Sequence, residues 1–540
     1  MLHGIHPCCF QIPLQRCFAI KKESFMSIFN YLMIPVYNPV LILFVAVGVF
    51  SGIYIGAIPG LSGTMAVSLL VSFTFGWETH RALALMIGVF IGAVYGGSRS
   101  AILLNIPGAP AAVATSFDGY PLAQKGEAGR AMGIATTQSV IGTLLGIIAL
   151  GCCAPMVSKF ALKFSSVDYL LLGIMGMMMV GSLGCKSIYR GLISAAIGVL
   201  LGTVGMDTMT AKPRFTYGIT YLLPGVNYVV AMIGLFGVSE ALAQITTKDI
   251  IPIKQKIDKI IPSFDVIKKH LPLTFRSAIV GVLVGALPGA GGDIAALLTY
   301  DQAKRTIKNP ETPFGEGAIE GIVAPETANN AAIGGAFIPM LTLGIPGDAV
   351  TAVMIGALTI HGLKPGPNLM TTTPDLFYLI VSCLAFGTVF LLIFGLTGIK
   401  IFTKIVEIPK GILMPIIIIL SVVGSYAINN SLPDVFWMLG FGVLGYFMKQ
   451  FDYPIGPCVL GTILEKLLEE NYRRGVLLKK SVVGLLGSIF TSPISVVLFI
   501  MIVVMFVTQT QTYQRWKAKR NKGRADSLNS PEKAGYSIRG

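Results

Sequence analysis

The chain has 540 residues, of which 54% are hydrophobic and 12% charged, and its mean hydropathy is +0.74. A soluble protein carries roughly a quarter of its residues as charges to cover its interior, and this composition excludes such a skin. The net charge of +15 gathers in a few polar segments, which marks membrane topology rather than a nucleic-acid surface.

Residues 1–25 differ in character from the rest of the chain, and Lys21 and Lys22 come after their apolar residues, the reverse of a signal peptide. Met26 opens MSIFNYLMIPVYNPV, a natural start, so residues 1–38 read as a leader and an interfacial segment. The run PVLILFVAVGVFSGIYIGA (39–57) reaches the ~20 helical residues that cross hydrocarbon. It ends at a Pro-Gly break, GAIPGLSGT (56–64). A second break, LLNIPGAPAAV (103–113), comes after a small-residue stretch with Gly96-Gly97. The loop SFDGYPLAQKGEAGRAMG (116–133) reads as a connector, and YLLLGIMGMMMVGSL (169–183) is the next long apolar run. The basic segment at 247–276 reads as a cytoplasmic linker. Two further breaks lie beyond it, GALPGAGGD (285–293) and TLGIPGDAVTAV (342–353), the latter with Gly334-Gly335 upstream. After a connector at 359–370 come the apolar runs 376–396 and 492–507, and then the basic tail 510–540, also read as cytoplasmic. Roughly ten to twelve crossings are expected, allowing for broken ones.

The breaks recur at fixed offsets. Pro59 and Pro288 are 229 residues apart, Pro107 and Pro346 are 239 apart, and the polar insert TIKNPETPFG (306–315) accounts for the difference. The chain therefore reads as one all-α polytopic membrane protein written twice, with a first repeat over 39–246 and a second over 277–509. Irregular backbone at membrane depth is tolerated where it lines a cavity or is buried in protein. Paired Pro/Gly interruptions in repeated halves point to a transporter's binding site, with inverted repeats as the common precedent.

A helix that restarts after a break presents free N–H groups and the positive end of its dipole to an anion. The candidates for binding an anionic substrate are Ser62, Thr64, Ser98, Arg99, Asn105 and the backbone at Gly108 in the first half. Thr327, Asn329, Asn330 and the backbone at Gly347 are their counterparts in the second. The carbonyl ends near Pro59, Leu104, Asn105 and Gly344, with the carboxylates of Asp293 and Glu326, are candidates for a cation. Hydroxyls in membrane helices ordinarily bond their own backbone, so Asn329-Asn330 and the charges are the sharper signals. A charge at the bilayer centre costs ~2.5–3.5 kcal/mol on insertion scales, so Asp293, Glu326, Asp348 and Arg99 need a partner, a wet cavity or a membrane edge. Arg99 suits a substrate carboxylate, an acidic side chain or the interface equally well.

There is no GxxxxGK[ST], HExxH or GxSxG, the eight cysteines contain no CxxC, and the five histidines are scattered. No cofactor and no structural metal are expected, and energy has to come from an ion gradient or a partner. The competing reading is an intramembrane enzyme that uses Asp293 and Glu326 as acid and base. It has no histidine near the breaks and leaves the matched halves unexplained.

The segments YGGSRSAILLNIPGAPAAVATSFDGYPLAQKGEAGRA (95–131), GALPGAGGDIAALLTY (285–300) and AIEGIVAPETANNAAIGGAFIPMLTLGIPGDAVTAVMIGALTIHGLKPGP (318–367) resemble the signatures of the large membrane subunit of tripartite tricarboxylate transporters. The resemblance runs over residues 30–505. It implies a bacterial inner-membrane, multi-pass permease and secondary uptake of citrate or related carboxylates with Na⁺ or H⁺. It also implies two partners, a small four-helix membrane subunit and a periplasmic solute-binding protein. Similarity to the dicarboxylate-type tripartite periplasmic transporters implies an elevator-like movement. Arg99 and Asp293 depart from the family pattern: either they pair with each other across the repeats, or Arg99 shifts selectivity toward a more highly charged acid.

Overall fold

The computed structural model describes residues 30–58, 61–182, 188–207, 210–245, 260–398 and 410–509. Pro59, the leader through residue 29, residues 247–259 of the linker and the 510–540 tail lie outside the described residues. The described chain is helical. In order, the first half contains α1 (Pro39–Ala57), α2 (Gly63–Phe73), α3 (Thr79–Leu104), α4 (Ala112–Leu122), α5 (Ala128–Ala161), α6 (Ser166–Ser182), α7 (Ile188–Gly202) and α8 (Tyr228–Ile245). Then come α9 (Phe264–Gly285), α10 (Gly291–Thr306), α11 (Glu320–Leu343), α12 (Ala349–Ile360), α13 (Pro374–Thr397), α14 (Lys410–Asn429), α15 (Leu432–Gln450), α16 (Ile455–Lys479), α17 (Val482–Ser488) and α18 (Pro493–Gln509). A short antiparallel pair, Gly205–Met206 with Pro213–Arg214, is the one strand ladder among the described residues.

Among the described residues six helical stretches are long and apolar enough to cross a membrane, and α17 with α18, bent by 93°, raises the count to seven. The chain is a polytopic membrane protein. The sequence-based count of ten to twelve is higher: α9 and α11 are long but carry charged and amide side chains, and α2 and α12 are apolar but short.

The same order of parts occurs twice: long helix, break, helix, long helix, left-handed cap, break, helix. In the first half these are α1 to α4, and in the second α9 to α12. α1 packs on α3 through glycines spaced by four, where a side chain would strike backbone: a Cβ on Gly48 would lie 3.0 Å from the Cα of Gly88, and one on Gly52 2.9 Å from the Cα of Val89. α9 packs on α11 in the same manner, with Gly281 and Gly285 set against the backbone of Ala328 and Ala332. Small residues let helices approach closely where no hydrophobic force drives them together in lipid.

α3 ends at Asn105 (φ 56°) and α11 at Gly344 (φ 72°), both left-handed. Asparagine and glycine are the residues that tolerate this conformation. The next amide folds back identically: Ile106 N–H donates to the Ser100 carbonyl (3.5 Å) and Ile345 N–H to the Pro339 carbonyl (3.3 Å). After each break the backbone turns in against its own half. A Cβ on Gly108 would strike the Gly56 carbonyl and the Cα of Gly97, and one on Gly347 would strike the Gly285 carbonyl and the Cα of Ala336. These partners are related by the offsets of 229 and 239.

At the polar start of α9, His270 Nε2 lies 3.4 Å from Glu320 at the start of α11. Burial pulls the His270 pKa down, but the hydrogen bonds with Glu320 and the Val266 carbonyl and the charge of Glu320 outweigh it and set the pKa above the ordinary 6.5. The hydrogen bond from His270 holds Glu320 below the ordinary 4.5. A raised histidine contributes stability that is complete below its unfolded pKa and is lost as pH rises through its folded value. A depressed glutamate contributes stability that is complete above its unfolded pKa and is lost on acidification. The melting temperature of the detergent-solubilised protein is therefore expected to fall as pH rises above about 6.5 and through the raised folded value of His270. His270→Asn should flatten that slope.

Candidate functional site

A cavity of about 380 Å³ opens where α2, α4, α10 and α12 begin. Ser62, Gly63 and Thr64 wall it after the first break, Ala109 and Pro110 after the second, Gly289 to Asp293 after the third, and Asp348 to Val350 after the fourth. Phe90 and Val94 of α3, Asn329 and Ile333 of α11, and Pro454, Gly456 and Pro457 at the start of α16 complete the wall. Five helix starts thus border one space. The two halves contribute matching positions under the offsets above: Ser62, Gly63 and Thr64 match Gly291, Gly292 and Asp293; Phe90 and Val94 match Asn329 and Ile333; Ala109 and Pro110 match Asp348 and Ala349.

The chemistry of the two walls differs. The second half places Asp293, Asn329 and Asp348 where the first has Thr64, Phe90 and Ala109. Ser62 caps α2 by accepting the Met65 N–H at 3.1 Å, and Asp348 caps α12 by accepting the Thr351 N–H at 2.7 Å in a reciprocal capping box. Asp293 Oδ1 accepts the Ala111 N–H at 3.0 Å, which ties the third break to the second across the two halves. Asn329 is 5% exposed, and its side-chain amide has no hydrogen-bond partner among the described residues. Its amide is thus open to hydrogen-bond a polar group in the cavity. Helix starts and the Asn329 amide can receive an anion, and the two carboxylates can receive a cation beside it.

Of the sequence-derived candidates, Ser62, Thr64, Asp293 and Asn329 line this cavity. Ser98, Glu326 and Asn330 lie behind the wall in a buried polar cluster in which Ser98 Oγ donates to Glu326 Oε1 at 2.5 Å. Thr327 is also behind the wall, donating to Gln138 Oε1 (3.0 Å) and the Val323 carbonyl (2.7 Å). Asn105 and Gly344 are the left-handed helix caps, Leu104 is the last residue of α3, and Gly108 and Gly347 hold the backbone turns. None of these five is on the cavity wall.

Arg99 faces away from the cavity. Its Nη2 donates to the carbonyls of Phe394 (3.2 Å) and Gly395 (2.6 Å), its Nε to the Tyr95 hydroxyl (3.2 Å), and its guanidinium lies 5.1 Å from the centre of the Tyr95 ring. It fastens α3 to the end of α13, whereas Asp293 is occupied by Ala111. Hydrogen bonds from a charged group contribute ~1.5–3 kcal/mol. Arg99→Gln is therefore expected to lower the melting temperature by several degrees and to leave carboxylate affinity unchanged. Thermal unfolding and equilibrium binding on the same preparation check both.

The α16 contribution was not among the sequence-derived candidates. Its signal was the Pro/Gly cluster YPIGP (453–457), which resembles the other breaks.

Residues 42–460 match the model of the family described as the tripartite tricarboxylate transporter TctA family. The chain is 36% identical over 445 residues to an Agrobacterium vitis protein named as an uncharacterized 52.8 kDa protein in the TAR-I ttuC' 3' region; the alignment covers 82% of this chain and 88% of that protein. It is 41% identical over 200 residues to an uncharacterized protein in the TAR-II ttuC' 3' region of the same organism, covering 37% of this chain and 82% of that protein. No solved structure matches.

Proposed function

The chain belongs to the tripartite tricarboxylate transporter TctA family, and from that premise we propose that it is the large permease subunit of a binding-protein-dependent secondary transporter that imports a tricarboxylate or related carboxylate together with Na⁺ or H⁺. The observation that carries this reading is the convergence of matched breaks from both halves on one cavity. The substrate carboxylates sit against the helix starts of α2 and α12 and hydrogen-bond to Ser62, Thr64 and Asn329. Cation charge beside Asp293 and Asp348 offsets that of the acid. Moving the neutralised pair through a low-dielectric region is easier than moving either alone, which links the two fluxes. The remaining sequence candidates hold the tips in position.

The paired glycine contacts at the offsets of 229 and 239 support a duplicated architecture. We take the repeats as inverted and the movement as elevator-like. The permease works in the bacterial inner membrane with a small four-helix subunit and a periplasmic solute-binding protein, its linker and tail on the cytoplasmic side. The alternative of acid–base catalysis by Asp293 and Glu326 gains no support, because Asp293 opens on the cavity while Glu326 is 1% exposed behind it.

The test is uptake of labelled citrate into vesicles that contain the permease and its small membrane partner. Uptake is expected only with the binding protein outside and an imposed Na⁺ or proton gradient. Product formation without accumulation, or accumulation without any gradient, overturns the reading.

A further inference from the structure

We propose that the buried cluster around Glu326 is a binding site for a small monovalent metal cation of the Na⁺ type, resting on the reading of the chain as an ion-driven transporter. Glu326 Oε1 accepts hydrogen bonds from Ser98 Oγ of α3 and Thr115 Oγ1 of α4, both at 2.5 Å, and Oε2 accepts one from Ser139 Oγ of α5 at 2.9 Å. These three hydroxyls satisfy the carboxylate's geometry but carry no charge. No basic side chain acts on it among the described residues. An ionised carboxylate in a protein interior needs a counter-charge, because its burial alone costs several kcal/mol.

Asn330 adds an independent observation. It lies one turn along α11 and is fully buried. Its Nδ2 donates to Ser139 Oγ (2.9 Å) and to the Glu326 backbone carbonyl (3.0 Å). A carbonyl oxygen only accepts, so this contact fixes which end of the amide is NH₂. The other end, Oδ1, is buried with no hydrogen-bond partner among the described residues. Buried acceptors left open are rare. The cluster lacks one positive charge and one ligand for Asn330 Oδ1, and a cation supplies both.

The available ligands are all oxygen: two from Glu326, one hydroxyl each from Ser98, Thr115 and Ser139, and Asn330 Oδ1. An all-oxygen set selects a hard cation. A single carboxylate balances one charge, and a divalent ion would leave an excess. When the ion enters, the hydroxyls turn lone pairs toward it and their hydrogens to carbonyls one turn back in their own helices, the ordinary partner of Ser and Thr in membrane helices.

The location gives the ion a role. Three ligating residues come from the first half and two from the second, so the ion cross-links the halves. Asn329, next to Asn330, lies on the cavity wall, and Ala111, one turn before Thr115, donates to Asp293 on that wall. Cation binding therefore fixes α4 and α11 relative to each other, and these are two helices on which the carboxylate site is built. That shared framework is the route by which occupancy of one site raises affinity at the other.

The test uses the purified full-length chain in lipid nanodiscs, without carboxylate, so its result is independent of uptake. Binding of ²²Na⁺ is measured directly, and unfolding is followed in NaCl against choline chloride of equal ionic strength over pH 6 to pH 9. The expected result is saturable ²²Na⁺ binding and a melting temperature raised by Na⁺ at every pH. Glu326→Gln, which keeps the volume and a hydrogen-bonding oxygen, should abolish both. Ser98→Ala and Thr115→Val, each removing one ligand, should weaken binding roughly tenfold and carry the test if Glu326→Gln fails to fold. Unchanged ²²Na⁺ affinity in these variants overturns the proposal. So does a wild-type chain that neither binds ²²Na⁺ nor gains stability from it at any pH.

Discussion

Asn329→Ala is expected to insert and fold as the wild type does and to bind citrate on the order of 10²-fold more weakly. The wild-type amide is nearly buried, makes no hydrogen bond within the described residues and faces the cavity. Its removal takes nothing from the fold and relieves an unsatisfied polar group, so thermal stability should be equal or slightly higher. A hydrogen bond to a charged ligand contributes ~1.5–3 kcal/mol, which is about one to two powers of ten in affinity. Equilibrium binding and ion-driven uptake measure the loss. Full citrate affinity in this variant would place the anion elsewhere. The adjacent Asn330 should behave in the opposite way, because its amide holds Ser139 and the Glu326 carbonyl and its loss weakens the fold.

Gly92→Val is expected to prevent a stable α1–α3 pair from forming. A Cβ at this position would lie 2.7 Å from the Ile53 nitrogen and strike the Val49 carbonyl. Those atoms belong to a helix backbone and cannot swing aside as a side chain does, so the two helices have to separate along their length. Overpacking of this kind costs ~1–3 kcal/mol in a core that can adjust, and more where the contact is backbone on backbone. Gly285→Val on α9, whose Cβ would lie 2.8 Å from the Cα of Ala332, should fail in the same way. Gly151→Val on α5 has open space around it and should be neutral. Size-exclusion profiles of the three expressed variants are sufficient. A monodisperse Gly92→Val protein would show that the helices are not pressed together.

The breaks were legible because proline and glycine leave a mark that needs no neighbours to interpret, and the offsets tied four of them together. Which side chains face the cavity was not legible. α11 is buried on every side from Glu320 to Thr342, so no alternation of polar and apolar residues phases the helix. Asn329 and Asn330 are indistinguishable in the sequence, yet the ~100° rotation between neighbours sends one to the cavity and the other behind it. Arg99 could not be assigned either, because its carbonyl partners lie 295 and 296 residues away on α13. Asp118 escaped notice inside a segment read as a connector. It accepts the N–H groups of Gly315, Gly317 and Ala318 and the Tyr300 hydroxyl, and so anchors the loop before α11.

The chamber has a twofold outline and a one-sided lining, with Asp293, Asn329 and Asp348 facing Thr64, Phe90 and Ala109. A guest inside it has only one favourable way round. On the proposed reading its carboxylates bond to Ser62, Thr64 and Asn329, and any flat portion rests on the Phe90 ring. Mirror-image acids that differ only in how those parts are arranged would be told apart, although the scaffold around them is almost symmetrical.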